Sequence, residues 1–302
     1  MVILKKYKKI AIILGGISEE SKISMKTGNE VFKHLKNRYE TKKFRVTSNV
    51  KILIKDLMLY QPDVVFNALH GKFGEDGQIQ AILNALKIPY THSGFVASLI
   101  GMNKKLSKLI FEHEGILCPK GRILNSNKFK TLKKYQFPII IKPNDGGSSV
   151  NILRINKKSD LLKVKLKGDF LVEEFVEGRE ITVGILENKI CGITEIVYEE
   201  DFYDYKNKYV NIAKHVINPR LPKKIIGQLK KQTLQAHNCL GCNCLSRADY
   251  RYNEKDDKLY LLEINTQPGL TKNSLLPEMA NNKGISFFNL CEIVLKNAKC
   301  EK

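Results

Sequence analysis

Short apolar runs alternate with helical patterns in the first third of the chain. Residues 9–14 read as a β-strand ending in Gly15-Gly16, and after Ser18 the apolar Ile23, Val31 and Leu35 recur at helical spacing. Strand, glycine turn and helix open an α/β unit. Residues 63–66 predict a second buried strand, followed by the polar loop His70-Gly-Lys-Phe-Gly-Glu-Asp-Gly77 and a helix through Ile79, Leu83 and Leu86. Residues 1 to about 95 are therefore expected to form an α/β domain with a parallel sheet, whose ligands would bind in the loops after the strands.

The rhythm then changes. Residues 101–114 predict one helix capped by Gly115. Strands are expected at 122–124, 138–142, 151–155 and 170–174, with a further β-stretch from about 180 to 197. Residues 221–240 read as helical. Two strands, 245–253 and 259–265, flank the turn-like Glu254-Lys-Asp-Asp-Lys258, and a helix at 287–298 follows. The region after 100 is α+β, most simply two lobes with a break near 178–180. The expected division is 1–95, 96–178 and 179–302.

Composition narrows the class. With 302 residues, 43% hydrophobic and 27% charged, the chain can bury real cores, which excludes global disorder. Its longest apolar runs are about five residues, far short of the roughly 20 that a bilayer-spanning helix needs. No signal-peptide core is visible, so a soluble cytoplasmic protein is expected. The net charge of +20 raises a nucleic-acid reading. The excess is lysine, with only eight arginines, and it is spread along the chain apart from small clusters at 5–9 and 157–167. It reads as a solvated surface, so neither a nucleic acid nor a membrane is expected as partner. Seven cysteines are an odd number for a disulfide framework. Cys239, Cys242 and Cys244 lack the further ligands of a zinc site and read as small apolar residues where a helix meets the next strand.

Three segments carry candidate chemistry. If strands 245–253 and 259–265 form a hairpin centred on 256, Asp249 lies opposite Glu263 and Arg247 opposite Asn265. Opposed residues are roughly 4.5–5.5 Å apart at Cβ. Two carboxylates and an amide oxygen would converge beside a guanidinium, a hard donor set suited to Mg²⁺. Strict alternation also puts Leu259 and Leu261 on the same face as the acids. The second segment is Phe137-Pro-Ile-Ile-Ile-Lys-Pro-Asn-Asp-Gly-Gly-Ser-Ser-Val. A lysine ending a buried strand is expensive to desolvate unless it meets an anion, and the Gly-Gly-Ser-Ser turn can offer donors to phosphate. The spacing is not that of a P-loop. The third, Phe170-Leu-Val-Glu-Glu-Phe-Val-Glu-Gly-Arg-Glu, is an apolar strand ending in acids and an aromatic. As a connector between lobes it could wall a nucleobase.

In this order and spacing the segments resemble the ATP-grasp superfamily, and within it the D-alanine–D-alanine ligases. Leu14-Gly-Gly-Ile-Ser-Glu-Glu, Asn67-Ala-Leu-His-Gly-Lys-Phe-Gly-Glu-Asp-Gly, Tyr90-Thr-His-Ser-Gly, Met102-Asn-Lys, Phe202-Tyr-Asp-Tyr-Lys-Asn-Lys-Tyr and Glu263-Ile-Asn-Thr-Gln-Pro-Gly-Leu-Thr carry the likeness from about residue 9 to 295. The resemblance implies a parallel-sheet α/β domain followed by a two-lobed ATP-grasp fold. It also implies ATP-dependent joining of two D-alanines through a D-alanyl phosphate for peptidoglycan, with Mg²⁺ or Mn²⁺, in a cytoplasmic homodimer.

By the same resemblance Lys104 and Lys142 would contact the ATP phosphates and Lys208 the γ-phosphate. Glu173, Phe175, Val176 and Glu180 would surround adenine and ribose. Asp249, Glu263 and Asn265 would bind the cation, as the hairpin geometry suggests independently. Glu20 would orient the first D-alanine close to His70, and Arg247 with the Gly269 N–H would stabilise the oxyanion. Ser274 and Leu275 would hold the second D-alanine's carboxylate, and Glu20, Ser148 and Tyr209 would close the site. The sequence departs from the family pattern at Asn103 (usually aspartate), Gly146 (usually acidic), Gln267 (usually serine), Asn151 (commonly glycine) and Phe175 (frequently tryptophan). Alternative acceptors are D-lactate and D-serine; Tyr209 favours a dipeptide over the ester, because family members that make the ester tend to lack that tyrosine. Another ATP-grasp carboxylate–amine ligase, a nucleic-acid-binding protein and a nucleotide-binding fold without turnover are the remaining alternatives.

Overall fold

Ile10, Ala11, Ile12, Ile13 and Leu14 are all buried, so the strand they form is covered on both faces. In the computed structural model, which describes residues 7–131, 136–146, 151–164, 166–198 and 213–301, this strand is β1 (Lys9–Gly15). It lies between β2 (Glu40–Val46) and β3 (Val64–Asn67) in a parallel sheet of order β2-β1-β3. Alternation sorts its side chains into two cores. Ala11 and Ile13 pack in one with Leu53 and Leu57 of α2 (Val50–Tyr60) and Ile79 and Leu83 of α3 (Gln78–Ala85). Ile10 and Ile12 join the other with Val31 and Leu35 of α1 (Ser21–Leu35) and with Leu290 and Val294 near the C-terminus. Gly15 and Gly16, at φ 91° and 90°, make the left-handed turn that carries the chain from β1 toward α1.

The helix expected over 101–114 starts later, at Lys104, and a second helix that the sequence pattern did not announce precedes it. α4 (Phe95–Met102) and α5 (Lys104–His113) are separated at Asn103, whose extended backbone (φ −88°, ψ 97°) ends one and caps the other. Its Oδ1 accepts from Leu106 N–H at 3.0 Å. The strands that follow, β4 (Gly121–Asn125), β5 (Ile139–Pro143), β6 (Leu153–Ile155) and β7 (Asp169–Glu174), form an antiparallel sheet of order β4-β7-β5-β6.

A five-stranded antiparallel sheet, β10-β9-β8-β11-β12, completes the fold. The stretch read as continuous from 180 to 197 is the hairpin β8 (Arg179–Leu186) and β9 (Lys189–Val197), turned at Glu187 and Asn188 with φ 51° and 58°. β10 (Lys214–Ile217) pairs with β9, and β11 (Leu245–Asn253) lies between β8 and β12 (Lys258–Asn265). One face of this sheet buries Ile181, Val183, Ala248, Tyr250, Leu259, Leu261 and Ile264 with Phe111 of α5 and with Ile225 and Leu229 of α6 (Lys223–Cys239). α7 (Leu275–Asn282) and α8 (Phe287–Lys296) follow, and α8 ties the ends of the chain together. Leu290, Cys291 and Val294 share a core with Ile10 and Phe66, and Tyr7 OH donates to Ala298 O at 2.8 Å.

Asp249 faces Glu263 and Arg247 faces Asn265, as the hairpin pattern predicts. The expectation that Leu259 and Leu261 share the acids' face is overturned. The register shifts between Asp249 and Tyr250, leaving Leu262 as an extra residue in β12. Before this bulge Leu259 and Leu261 point into the helix-covered core; after it Glu263 and Asn265 emerge on the opposite face, while Ile264 returns to the core.

The seven cysteines are all free thiols, with Cys244 buried where α6 gives way to β11. Burial pushes the Cys242 and Cys244 thiols up to about 12. Among the described residues no helix is long and apolar enough to cross a membrane.

Two interior histidines set an acid limit. Burial pulls His237 from its usual 6.5 to about 4, and burial together with the nearby His70 pulls His92 to about 3. As the pH falls below 6.5 the unfolded chain takes up protons that the folded chain refuses, so stability declines from there toward about pH 3. His92→Asn and His237→Gln are expected to show a smaller drop in Tm than the parent between roughly pH 6.5 and 4. Parallel Tm–pH curves for parent and variants would exclude these two groups as the cause.

Candidate active site

The four- and five-stranded sheets face one another across an open cleft of about 920 Å³. On the first sheet Ile139 and Ile141 point into the core, so Ile140 and Lys142 point into the cleft. Ile140 pairs with Glu173 of β7, and Lys142 is the diagonal neighbour. Lys142 Nζ meets Glu173 Oε1 at 2.5 Å, and Lys108, from α5, meets Oε2. Glu173 is 2% exposed. Burial pushes its carboxyl up, but the two ammonium groups outweigh that and hold it below the usual carboxylate range. Burial pulls the Lys108 ammonium down from its ordinary value.

The opposite wall is the polar face of the five-stranded sheet. Arg247 holds Asp249 in a fork, Nε to Oδ1 at 2.9 Å and Nη2 to Oδ2 at 2.7 Å. Thr182 Oγ1 also donates to Oδ1 at 2.6 Å, and Asn265 Nδ2 donates to Oδ2 at 3.1 Å, which turns the Asn265 carbonyl oxygen away from the acid. Glu263 pairs with Lys104 Nζ at 3.1 Å. Burial pushes the Glu263 carboxyl up, yet Lys104, Lys142 and Arg247 bring it down to about 2, so it stays ionised throughout the neutral range. Two carboxylates and an amide oxygen are a donor set whose chemistry fits a hard divalent cation, which takes few protein ligands and completes its shell with phosphate oxygens and water. Among the described residues no cluster of three or more His, Cys, Asp or Glu is arranged for a metal.

The connector between the sheets closes one end. Gly178 (φ 117°) lies so close to Tyr252 O that a Cβ would stand 2.0 Å from it. Phe175 packs under the Arg154 guanidinium, 4.1 Å from ring centroid to Cζ, and lines the cleft with Val176 and Glu180. Glu180 accepts from Tyr198 OH at 3.1 Å and pairs with Arg251 at 3.3 Å. Burial, reinforced by Asp249 and Glu263, raises its carboxyl above the usual range despite Arg251.

The loops after the N-terminal strands hold Glu20 and His70, which are not among the residues lining this cleft. His70 is buried between Thr27 Oγ1 at Nε2 (2.9 Å) and Glu75 Oε1 at Nδ1 (2.8 Å). Glu20 stands just before α1 with its carboxylate over Gly71, where a Cβ would lie 2.5 Å from Oε2. Ser18 Oγ donates to His70 O at 2.6 Å and joins the two segments. In the loop after β12, Ser274 precedes α7; its Oγ accepts from Thr271 N–H at 3.1 Å and contacts Thr271 Oγ1, rather than capping its own helix. A Cβ on Gly269 would meet Ser274 Oγ at 3.1 Å, so the two lie side by side. Leu275 lines the cleft.

Lys142, Glu173, Phe175, Val176, Glu180, Arg247, Asp249, Glu263, Asn265 and Leu275 therefore share one cleft, with Lys104 bonded to Glu263 at its edge. Ser148, Lys208 and Tyr209 lie outside the described residues. Lys108 and Thr182 escaped the reading of the sequence. Lys108 follows Lys104 by one helical turn, and that i, i+4 spacing was the available signal. The departures from the family pattern suit their positions. Asn103 caps α5, Asn151 has φ 59°, where asparagine substitutes best for glycine, and Gly146 O accepts from Lys104 Nζ at 2.5 Å.

Residues 117–296 match the family model described as D-ala D-ala ligase C-terminus, and residues 49–93 match D-ala D-ala ligase N-terminus. A D-alanine–D-alanine ligase of Pelagibacter ubique is 46% identical over 98% of this chain and 99% of its own length. One of Acidiphilium cryptum is 39% identical, with 97% and 99% covered. The solved structure of a Bacillus anthracis D-alanine–D-alanine ligase complexed with ATP superposes with a TM-score of 0.81 at 30% identity, covering 96% of both chains.

Lys108→Met breaks a buried ion pair and is expected to destabilise the protein by about 3 kcal/mol in urea unfolding. The double variant Lys108→Met/Glu173→Gln is expected to regain only part of that loss, because Glu173 no longer carries an uncompensated charge but Lys142 is left facing a neutral amide. A single variant as stable as the parent would show that Lys108 is not needed to keep Glu173 charged.

Proposed function

The chain belongs to the D-alanine–D-alanine ligase family, and from that premise we propose how its own groups divide the reaction. It is an ATP-dependent ligase that joins two D-alanine molecules into D-alanyl-D-alanine for peptidoglycan synthesis. We read it as three units, 1–95, 96–178 and 179–302, with the first D-alanine held by the first unit and the nucleotide between the other two.

Glu173 and Val176 face the adenine, Phe175 backs it, and Glu180 takes the ribose. Lys104 and Lys142 contact the phosphates, and Lys208 reaches the γ-phosphate. Asp249, Glu263 and Asn265 would hold Mg²⁺, or Mn²⁺, which when bound neutralises charge on the phosphate oxygens. Glu20 takes the ammonium of the first D-alanine beside His70; the carboxylate of that D-alanine attacks the γ-phosphorus, the bond to the β,γ-bridging oxygen breaks, and D-alanyl phosphate and ADP result. The amine of the second D-alanine, whose carboxylate sits at Ser274 and the Leu275 N–H where α7 begins, attacks the acyl carbon; the bond to the phosphate oxygen breaks, phosphate leaves and the amine proton passes to solvent. Arg247 and the Gly269 N–H then donate to the oxyanion, each worth about 2.7–4 kcal/mol in comparable acyl-transfer sites. Ser148 and Tyr209 close the site with Glu20, so that water is kept from the acyl phosphate.

The observation that carries this reading is the pairing of Asp249 with Glu263 across two strands, with Asn265 and Arg247 beside them and Lys104 on Glu263. Free thiols throughout suit a reducing cytoplasm. The exposed apolar Phe95, Val96, Leu99, Leu106 and Leu109 on α4 and α5 suit a homodimer contact.

With ATP and Mg²⁺ the protein is expected to release ADP when given D-alanine and not L-alanine, and to give the dipeptide in preference to the ester when D-lactate is added. Glu263→Gln is expected to lower turnover by at least roughly 10²-fold, as loss of charge stabilisation in the transition state does elsewhere. ADP release at the parent rate from that variant would remove the cation site from the mechanism.

A further inference from the structure

Gln267 is buried in the loop between β12 and α7, 5% exposed, and reaches across to the N-terminal sheet. Its Oε1 accepts from Asn67 Nδ2 at 2.9 Å, and its Nε2 donates to Leu69 O at 2.6 Å and to Asn67 O at 3.3 Å. Both ends of the carboxamide are thus committed to one turn 200 residues away. That turn is itself firmly held. Asn67 N–H donates to Thr91 Oγ1 at 2.9 Å, its Nδ2 also donates to Gly74 O at 2.9 Å, and its Oδ1 accepts from Leu69 N–H at 3.1 Å.

The two segments that Gln267 joins carry different halves of the site. The turn leads directly into His70, which Ser18 connects to the start of the Glu20 segment. The loop has Asn265 two residues before Gln267 and Gly269 two residues after. Serine, usual at this position of the family, is two bonds shorter and would not span the same gap. The nucleotide-facing groups Lys142, Glu173 and Val176 sit on the other sheet and the connector, whereas the Gln267 side chain bonds only to residues 67–69 among the described residues.

We propose that Gln267 is a positioning residue that sets the spacing between the half-site for the first D-alanine and the half-site that supplies the oxyanion donor and a cation ligand. The proposal rests on the ligase reading above. Loosening this clasp leaves nucleotide binding intact and slows capture of the acyl phosphate by the second amine. The intermediate then loses its acyl group to water: a C–O bond forms to water, the bond from the acyl carbon to the phosphate oxygen breaks, phosphate departs, and the water proton passes to solvent. D-alanine is regenerated and ADP is released without dipeptide.

The test measures ADP and D-alanyl-D-alanine together in Gln267→Ala and Gln267→Glu. The second is isosteric but sets a carboxylate oxygen against two carbonyls. Both are expected to lose roughly 10–100-fold in kcat/KM for D-alanine, the scale of ångström-level misplacement. KM for ATP is expected to stay at the parent value and the ADP-to-dipeptide ratio to rise above that of the parent. A ratio equal to the parent's, with D-alanine and ATP parameters falling together in step with Tm, would overturn the proposal in favour of a purely structural role. If neither variant folds, Gln267→Asn, which keeps the amide and shortens the reach by one methylene, is held to the same two readouts. A parent protein that makes no dipeptide at all would instead defeat the ligase reading, leaving the two failures distinct.

Discussion

The pairing of β11 with β12 through the bulge at Leu262 is the constraint on which the site depends. A strand has only two faces, and β12 needs both within eight residues. Leu259 and Leu261 must cover α5 and α6, while Glu263 and Asn265 must meet Asp249 on the other side. Strict alternation cannot do both, since all four positions are odd. One extra residue inverts the phase between the apolar and the polar pairs. The hydrophobic core is served on one side of the bulge and the cleft on the other.

Charge balance follows from that geometry. Lys104, Lys108, Lys142, Arg247 and Arg251 meet Glu173, Glu180, Asp249 and Glu263 within or beside one cleft. The carboxylates keep the cations ordered and partly neutralised, so the cleft need not carry a large unpaired positive field. On the proposed reading, a polyanionic nucleotide arriving with a divalent ion would exchange partners with these side chains. Reorganising an ordered, paired set requires less desolvation than stripping water from isolated ions. Burial, with Asp249 and Glu263 nearby, raises the Glu180 carboxyl above its usual range.

How far this could be read from sequence depends on how local each signal is. The strand pairing of Asp249 with Glu263 was legible because a polar turn and two alternating strands define a register. The bulge was not, because one extra residue leaves no mark in composition. It shows in the structure as a reversal of which leucines are buried. Lys108 was hidden because a lysine one turn from another on a polar helix looks like solvated surface. Its partner Glu173 lies 65 residues away, and only the tertiary fold brings them together. The edge strand β2, with its exposed run of Glu40, Lys42 and Lys43, lacks the apolar pattern that announces a strand. Charged edges of this kind discourage pairing with other chains. The break at Asn103 was obscured because apolar positions continue at helical spacing through it, while the backbone turns aside to give α5 its own cap.

The departures from the family pattern sort by what the backbone demands at each place. At Asn151 the requirement is a left-handed conformation, and asparagine meets it nearly as well as glycine. At Asn103 the requirement is an oxygen that accepts from Leu106 N–H, and an amide serves as well as a carboxylate while removing one negative charge beside Lys104. At Phe175 the requirement is an aromatic face for Arg154, which phenylalanine supplies with a smaller ring than tryptophan. Gln267 differs in kind, because its side chain adds contacts that a serine could not make. Asn103, Asn151 and Phe175 therefore preserve a local function already written into the backbone, while Gln267 builds a new connection between segments 200 residues apart.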